Sequence, residues 1–257
     1  MDLKEVLNKV EIIAKEVGAI IKERLDSTKD IKHKGRIDIV TEVDLLVEKK
    51  LKDDLSSLFP ESNFLAEETA NKGKLEDFTW IIDPLDGTVN YAHGIPIVAV
   101  CIALWKDKKI VLSVVYLPFT DEMFSSIKGQ GAYLNGKRIF VSEEKNLQNS
   151  LIATGFPYDV YKRPDEVLSK LKSVLVNVQG VRRMGSAAVD LVYVACGKFE
   201  GFFEMGLKPW DTAAGWLIVE EAGGKVTQFD NSTYNIFAPT ILATNGFIHD
   251  ELSKLLV

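Results

Sequence analysis

The sequence contains little cysteine and histidine, no long apolar run and no excess of basic residues. Its 257 residues include two cysteines and three histidines, and the formal net charge is −6 at pH 7. Two isolated cysteines, Cys101 and Cys196, do not make a disulfide framework or a zinc cluster and are expected to be buried. The acidic balance argues against a nucleic-acid partner. No apolar segment is long enough to span a bilayer, so we expect no membrane partner.

The small number of histidines and the absence of two motifs also argue against two familiar classes of enzyme. The three histidines are His33, His93 and His249, and neither a Gly-x-Ser-x-Gly nor a His-Glu-x-x-His motif occurs. These absences speak against a serine hydrolase of the nucleophile-elbow type and against a zinc protease. The N-terminus carries charge from Asp2 onward and lacks the apolar core of a secretion signal, which predicts a cytoplasmic protein.

What is present is a pattern typical of a large globular chain, with 46% hydrophobic and 26% charged residues. Apolar periodicity predicts a fold of mixed α/β class, α+β in a first half at 1–145 and α/β in a second half at 146–257. Helices are predicted at 3–25, 42–58, 164–175, 186–196 and 212–222 and at the C-terminus. Strands are predicted at 63–66, 78–82, 96–105, 109–117, 122–127, 151–154, 180–183, 199–204, 224–229 and 241–244. The polar segment 27–38 is predicted to be a mobile loop, and Asn135-Gly136 a hairpin turn.

The most informative segment runs from Trp80 to Thr88. An apolar stretch that reads as a buried strand ends in Asp83-Pro84-Leu85-Asp86-Gly87-Thr88. Pro84 restricts the backbone and Gly87 permits a sharp turn, so the two carboxylates are expected to converge. Two anions held close together repel each other unless a cation lies between them, and Mg²⁺ or Mn²⁺ prefers oxygen ligands. The alternative is that both aspartates simply cap the next element.

Matching acidic residues occur at three other places. Glu67-Glu68 follows a short apolar strand, Asp211 opens a helix of small residues, and Asp44 completes a capping box that begins at Thr41. Each has a plainer interpretation, as a solvated loop residue for Glu67 and as a helix cap for Asp211 and Asp44. Capping and metal binding do not exclude each other, since a capping carboxylate keeps a second oxygen.

Taken in order, these motifs resemble those of the inositol monophosphatase family, which belongs to the lithium-sensitive, Mg²⁺-dependent phosphatases that include fructose-1,6-bisphosphatases. The resemblance extends over nearly the whole chain, from Asp38 to Gly224. It implies a layered αβαβα sandwich and a small sugar or inositol phosphate as the substrate. It also implies a homodimer, because the family is commonly dimeric.

The resemblance implies a set of metal ligands. Glu67, Asp83 and the backbone carbonyl of Leu85 would hold one Mg²⁺, and Asp83, Asp86 and Asp211 a second, with Mn²⁺ as a substitute. Two metal ions can align a water for in-line attack on a phosphate and neutralise the leaving oxygen.

The catalytic residues implied by the resemblance are Glu67, Thr88 and Asp44. The Thr88 hydroxyl, with Asp44, would orient the attacking water, and Glu67 would position that water. Asp44 would also lie near a third, weaker metal ion.

The resemblance implies substrate contacts as well. They come from Asp86, Gly87, Thr88, Gly185, Ser186, Ala187, Glu204 and Asp211. Small residues at the start of the helix at 186 let backbone N–H groups approach an anion, although they also suit a closely packed helix start. Glu204 matches the hydroxyl-binding glutamate of the family, or is a charge at a strand end.

Three basic residues raise the question of a second phosphate. Arg182, Arg183 and Lys208 could gather at the pocket mouth, and arginine forms paired bonds to phosphate oxygens. We therefore expect fructose 1,6-bisphosphate to be a substrate beside inositol 1-phosphate. The alternative is that the three are ordinary surface charges.

One departure from the family and two rival functions stay open. Where many members carry a lysine in the mobile loop, this sequence has His33 between Lys32 and Lys34, so the alignment there could slip by one. A 3′-phosphoadenosine 5′-phosphate phosphatase shares the metal motifs, but no convincing aromatic pair for an adenine is recognisable. A non-catalytic metal- or phosphate-binding protein of the same fold is the second rival.

Overall fold

The helices follow the predicted apolar periodicity closely. In the computed structural model, which describes residues 2–25, 30–69 and 75–257, the helices are α1 (Leu3–Glu23), α2 (Glu42–Leu58), α3 (Thr88–Ala92), α4 (Pro164–Leu175), α5 (Ala187–Ala195), α6 (Pro209–Glu221) and α7 (His249–Lys254). The start of α2 is the predicted capping box, in which the Thr41 hydroxyl accepts from the Val43 N–H and the Asp44 carboxylate accepts from the Thr41 N–H.

The strands form two sheets and one separate hairpin. The hairpin pairs β1 (Ile31–His33) with β2 (Ile39–Thr41). The first sheet contains β3 (Asn63–Ala66), β4 (Thr79–Asp86), β5 (Ala99–Lys106), β6 (Lys109–Leu117), β7 (Glu122–Ile127), β8 (Ala132–Leu134) and β9 (Lys137–Ile139), in that spatial order. The second sheet has the order β11 (Gly180–Arg182), β10 (Leu151–Thr154), β12 (Gly201–Met205), β14 (Thr240–Thr244), β13 (Lys225–Thr227).

Strand directions decide which ends meet at the site. In the first sheet β3 runs parallel to β4, and the remaining neighbours are antiparallel. In the second sheet β10 is parallel to both β11 and β12, whereas β14 is antiparallel to its two neighbours. The parallel pair β3 and β4 therefore delivers its two acidic C-terminal ends to one edge of the first sheet.

The layers follow from which face each strand residue buries. On β4, Trp80 packs in a core with α1 and α2, while the neighbouring Ile81 packs with α5 and α6 on the opposite face. On β12, Phe202 shares the core of α5 and α6, whereas Phe203 packs with α4 and α7. The order is thus helices, sheet, helices, sheet, helices, which confirms the predicted αβαβα sandwich.

The two predicted halves correspond to the two sheets, but they do not pack separately. Every strand of the first sheet precedes residue 145 and every strand of the second follows it. Helix α6, however, packs against β4, β5 and β6 of the first sheet. The division of the chain at this boundary stays a prediction.

Local differences from the sequence prediction have simple causes. Residues 27–29 of the predicted loop at 27–38 lie outside the described residues, but the rest forms the β1–β2 hairpin rather than an unpaired loop. Helix α6 begins at Pro209, a residue tolerated in the first turn, so Asp211 is the third helical residue and not the cap. Cys101 is buried as expected, while Cys196 is only partly buried. In residues 2–25, 30–69 and 75–257, no helix combines the length and apolar character needed to cross a membrane.

Candidate active site

The turn at the end of β4 is stiff and carries two of the acidic residues. Pairing with β5 shifts register between Asp83 and Asp86, where Pro84 has no N–H to donate. An oxygen of Asp83 accepts from the Leu85 N–H at 3.0 Å. Gly87 has φ of 100°, and a Cβ there would lie 2.9 Å from the Ile97 carbonyl oxygen, so only glycine fits. The chain then enters α3 at once, which fixes both carboxylates.

Four carboxyl groups from three elements line one cavity of about 230 Å³. They are Glu67 after β3, Asp83 and Asp86 on β4, and Asp211 in the first turn of α6. Burial raises the pKa of Asp83 well above its usual range, and the charges of Glu67, Asp86 and Asp211 raise it further. Burial also raises the pKa of Glu67, and the charge of Lys34 opposes that rise. The sequence prediction that these acids converge is thus reproduced in the fold.

Asp86 is held by the start of α5. Its Oδ2 accepts from the Ser186 hydroxyl at 2.6 Å and from the Ala188 N–H at 2.7 Å. Ser186 also caps the helix by accepting from the Val189 N–H. Two donors that the sequence suggested for a substrate anion are therefore occupied by a carboxylate of the protein itself, although Gly185 and Ala187 still line the cavity.

Asp44 lies behind the cavity and connects to it through Thr88. Its Oδ1 accepts from the Thr88 hydroxyl at 2.9 Å, and its Oδ2 accepts from the N–H and hydroxyl of Thr41. Burial raises the pKa of Asp44, and the hydrogen bonds from Thr41 and Thr88 oppose that rise. Thr88 itself lines the cavity. Asp44 thus completes the capping box of α2, as the plainer interpretation predicted, and also hydrogen-bonds Thr88, which lines the cavity.

Lys34 is a site residue that the sequence analysis did not assign. Its ammonium lies 2.7 Å from an oxygen of Glu67, 3.0 Å from Glu68 and 3.7 Å from Asp38. Burial alone would lower the pKa of Lys34, but the charge and hydrogen bond of Glu67 outweigh it and raise the pKa. His33 is exposed on β1 and does not line the cavity. In the sequence, the lysines on either side of His33 were the indication that a lysine could reach the site.

Another part of the cavity lining carries mixed charges. Glu204, Arg183 and Lys208 line it, whereas Arg182 does not. The Arg182 guanidinium instead donates to the carbonyl of its neighbour Val181. Burial raises the pKa of Glu204 to about 8, with Arg183 opposing and Asp86 adding to the rise. Gly155 lies directly against the Glu204 carboxyl group, so a side chain at 155 would displace it.

Three aromatic side chains that the sequence analysis did not connect also line the cavity. They are Phe156 and Tyr158 in the segment after β10, and Trp210 in the first turn of α6. Phe156 and Tyr158 are two residues apart, but Trp210 is distant from them in sequence. The Arg183 guanidinium lies 6.0 Å from the centre of the Phe156 ring, within cation–π range.

The carboxyl groups converge, but their side chains are not arranged as a complete set of metal ligands. Across the described ranges, no three His, Cys, Asp or Glu side chains are grouped so that they could hold a metal ion as they stand. The donors are nevertheless all oxygens, and their mutual repulsion is partly opposed by the Lys34 ammonium beside Glu67 and by the Ser186 and Ala188 donors to Asp86. This chemistry fits a hard divalent cation, provided that the side chains turn toward it.

Comparison with known proteins places this chain among the phosphoric monoester hydrolases. The chain belongs to the inositol monophosphatase family, whose sequence profile matches residues 2–257. It is 43% identical over 241 residues to an inositol-1-monophosphatase of Synechocystis, covering 93% of this chain and 84% of that one. It is 38% identical over 256 residues to a fructose-1,6-bisphosphatase/inositol-1-monophosphatase of Aquifex aeolicus, covering 99% and 96%. A solved inositol monophosphatase from Anabaena superposes with a TM-score of 0.90 at 38% identity, covering 100% and 96%.

Proposed function

We propose that this phosphatase hydrolyses inositol 1-phosphate and fructose 1,6-bisphosphate in a reaction that requires Mg²⁺. The observation that carries the proposal is the convergence of Glu67, Asp83, Asp86 and Asp211 on one cavity. Their repulsion is costly for the fold, and a divalent cation relieves it. The Aquifex relative is named for both activities, which supports the same pair of substrates here.

The residues that would hold the metal follow from the donor set. Glu67, Asp83 and the Leu85 carbonyl would form one site, and Asp83, Asp86 and Asp211 another. Bound Mg²⁺ supplies positive charge that polarises the phosphate and makes water more acidic. The number of ions, two or three, and substitution by Mn²⁺ remain predictions of the family resemblance, as does a homodimer.

The chain's own contribution to water activation would come from Thr88 and Asp44. The Thr88 oxygen lies at the cavity wall, 2.9 Å from Asp44 and 3.0 Å from the Leu85 carbonyl oxygen. Its single proton points to one of these acceptors, so its lone pairs face the cavity and accept a hydrogen bond from water. Thr88 thereby orients that water, and Asp44 fixes the Thr88 hydroxyl. Glu67 would position the same water from the other side.

A second phosphate would be bound by Arg183 and Lys208. Both line the cavity and carry exposed charge, whereas Arg182 is directed elsewhere. Replacing Arg183 with alanine is expected to lower kcat/KM for fructose 1,6-bisphosphate about tenfold more than for inositol 1-phosphate. The matched control is Arg182→Ala, which should change neither. An equal loss on both substrates in Arg183→Ala would refute the second-phosphate role.

A nucleotide phosphate is a second candidate substrate, because of the aromatic lining. Phe156, Tyr158 and Trp210 offer faces on which an adenine can stack, a feature that the sequence did not reveal. Nucleotide substrates would use the same carboxylate centre. Unlike sugar phosphates, they would need these rings to stack against the adenine.

The test is phosphate release from three substrates before and after Mg²⁺ is restored to chelator-treated protein. Inositol 1-phosphate, fructose 1,6-bisphosphate and 3′-phosphoadenosine 5′-phosphate are compared at equal concentration. Turnover of the first two, dependent on Mg²⁺, is the expected result. Activity confined to the nucleotide would overturn the substrate assignment, and no turnover of any would favour the non-catalytic binding protein.

A further inference from the structure

Asp190 on α5 is a buried acid whose presence the proposed mechanism leaves unexplained. It is 1% exposed, yet it is among the residues that line the cavity. Its Oδ1 is fully buried and has no hydrogen-bond partner among the described residues. A buried polar atom without a partner costs roughly 1–3 kcal/mol, so a residue of this kind normally has a ligand or a function.

The surroundings of Asp190 make its burial still less favourable. Burial raises its pKa well above the usual range, and the charges of Glu204 and Asp86 raise it further, with Arg183 opposing. In the described part of the chain it forms no ion pair within 4.0 Å. An apolar residue of similar size would avoid all of these costs, so the fold alone does not favour an acid at this position.

The same surroundings indicate which ligand group would satisfy Asp190. Asp190 and Glu204 place two carboxyl groups at one wall of the cavity. These two carboxyl groups disfavour an anionic group placed directly against them, but each accepts a hydrogen bond from a neutral hydroxyl. Gly155 leaves room for the Glu204 carboxyl group beside it. A hydroxyl group of a polyhydroxy alcohol therefore fits directly beside Asp190 and Glu204 better than an anionic group does.

We propose that Asp190 is a substrate-binding residue that hydrogen-bonds a hydroxyl on the alcohol portion of a polyol phosphate and thereby selects such esters. The proposal rests on the proposed phosphatase function and deepens it, because it identifies the part of the cavity that binds the alcohol released on hydrolysis. Asp190 would determine which alcohol portion is preferred, whereas the four convergent carboxylates would serve the reaction at the phosphate.

The test compares Asp190→Leu with the wild type on inositol 1-phosphate and on phenyl phosphate, whose alcohol portion carries no free hydroxyl. KM for inositol 1-phosphate is expected to rise about tenfold or more, with phenyl phosphate unchanged. The melting temperature should stay the same or rise, since the buried, unpartnered Oδ1 is gone. Asp190→Asn, whose amide still accepts and donates, should restore KM for inositol 1-phosphate to within a few-fold of the wild type.

Ser126→Ala is the matched control. The Ser126 hydroxyl is likewise buried without a partner among the described residues, but Ser126 does not line the cavity. Removing it should leave both KM values unchanged. Should the Leu variant fail to fold, Asp190→Ala removes the same oxygens without added volume and carries the same expectation.

Two results would overturn the role of Asp190. One is a KM for inositol 1-phosphate that does not change in a folded variant. The other is an equal loss on both substrates, which indicates a structural residue. A wild-type protein that releases phosphate from neither ester would instead refute the phosphatase proposal itself, and the two failures are therefore distinguishable.

Discussion

The Lys34 ammonium lies 2.7 Å from the carboxylate of Glu67, so a hairpin residue holds one of the proposed metal ligands. The contact joins the segment between β1 and β2 to the turn after β3. The Lys34 ammonium, with its single positive charge, lies beside Glu67, where the proposed divalent cation would bind. We therefore expect Lys34 and Mg²⁺ to compete for Glu67, with the hairpin giving up this contact when the metal binds.

Removing the lysine charge is expected to strengthen metal binding. In Lys34→Gln, calorimetric titration should give a dissociation constant for Mg²⁺ lowered about threefold or more, because the competing cation is absent. Lys32→Gln is the control, since Lys32 is exposed on the neighbouring strand β1 and its one ion pair among the described residues is a 4.0 Å contact with Asp30. Mg²⁺ affinity that is unchanged or weaker in Lys34→Gln would refute the competition.

Substitutions at Thr88 test whether its hydroxyl orients the attacking water. Thr88→Ala removes the oxygen 2.9 Å from Asp44, and kcat is expected to fall about a hundredfold. Thr88→Ser keeps the hydroxyl and should retain kcat to within a few-fold. Equal kcat values in the Ala and Ser variants, with both proteins folded by circular dichroism, would exclude this role.

His249 makes the stability of the fold depend on pH. The Thr227 hydroxyl donates to the Gln228 carbonyl, so it accepts from Nε2 of His249, while Thr244 lies 2.8 Å from Nδ1 and donates to it. This arrangement suits the neutral ring. Burial, with the charge of Lys225, lowers the pKa of His249 to about 4. The unfolded chain, with a pKa near 6.5, therefore binds the proton more readily than the folded protein does.

The sign of the effect follows from this difference. The stabilisation is fully present above about pH 6.5 and is lost as the pH falls toward 4, by up to about 3 kcal/mol. Urea unfolding at several pH values should show a smaller loss in His249→Gln over this range. The exposed His93→Gln serves as the control. A wild-type-like pH dependence in His249→Gln would show that another group is responsible.

Much of the site could be predicted because its chemistry is contained in short motifs. The segment from Asp83 to Thr88 carries its own turn geometry in Pro84 and Gly87, independent of the rest of the fold. The capping box at Thr41 and Asp44 is equally local. The mixed α/β class followed from the periodicity of long helices and strands, for which sequence patterns are strongest. The layered sandwich was implied by the family resemblance.

What could not be predicted depends on contacts between distant parts of the chain. Consecutive residues at a strand end point in different directions, so Arg183 reaches the cavity and Arg182 does not, a difference invisible without the fold. Lys34 was missed because a loop alignment that slips by one residue hides which side chain faces the site. Asp190 is one acid in an apolar helix, and only the position of α5 beside the cavity gives it significance.

The most direct test of the account is Mg²⁺-dependent phosphate release from inositol 1-phosphate by the wild type and Asp83→Asn. We expect a chelator to abolish wild-type turnover and Mg²⁺ to restore it. Asp83→Asn should fall by about a thousandfold or more, with a melting temperature at least as high, because one buried charge has been removed. Turnover that survives the chelator, or that survives in Asp83→Asn, would contradict the assignment of the convergent carboxylates as the metal centre.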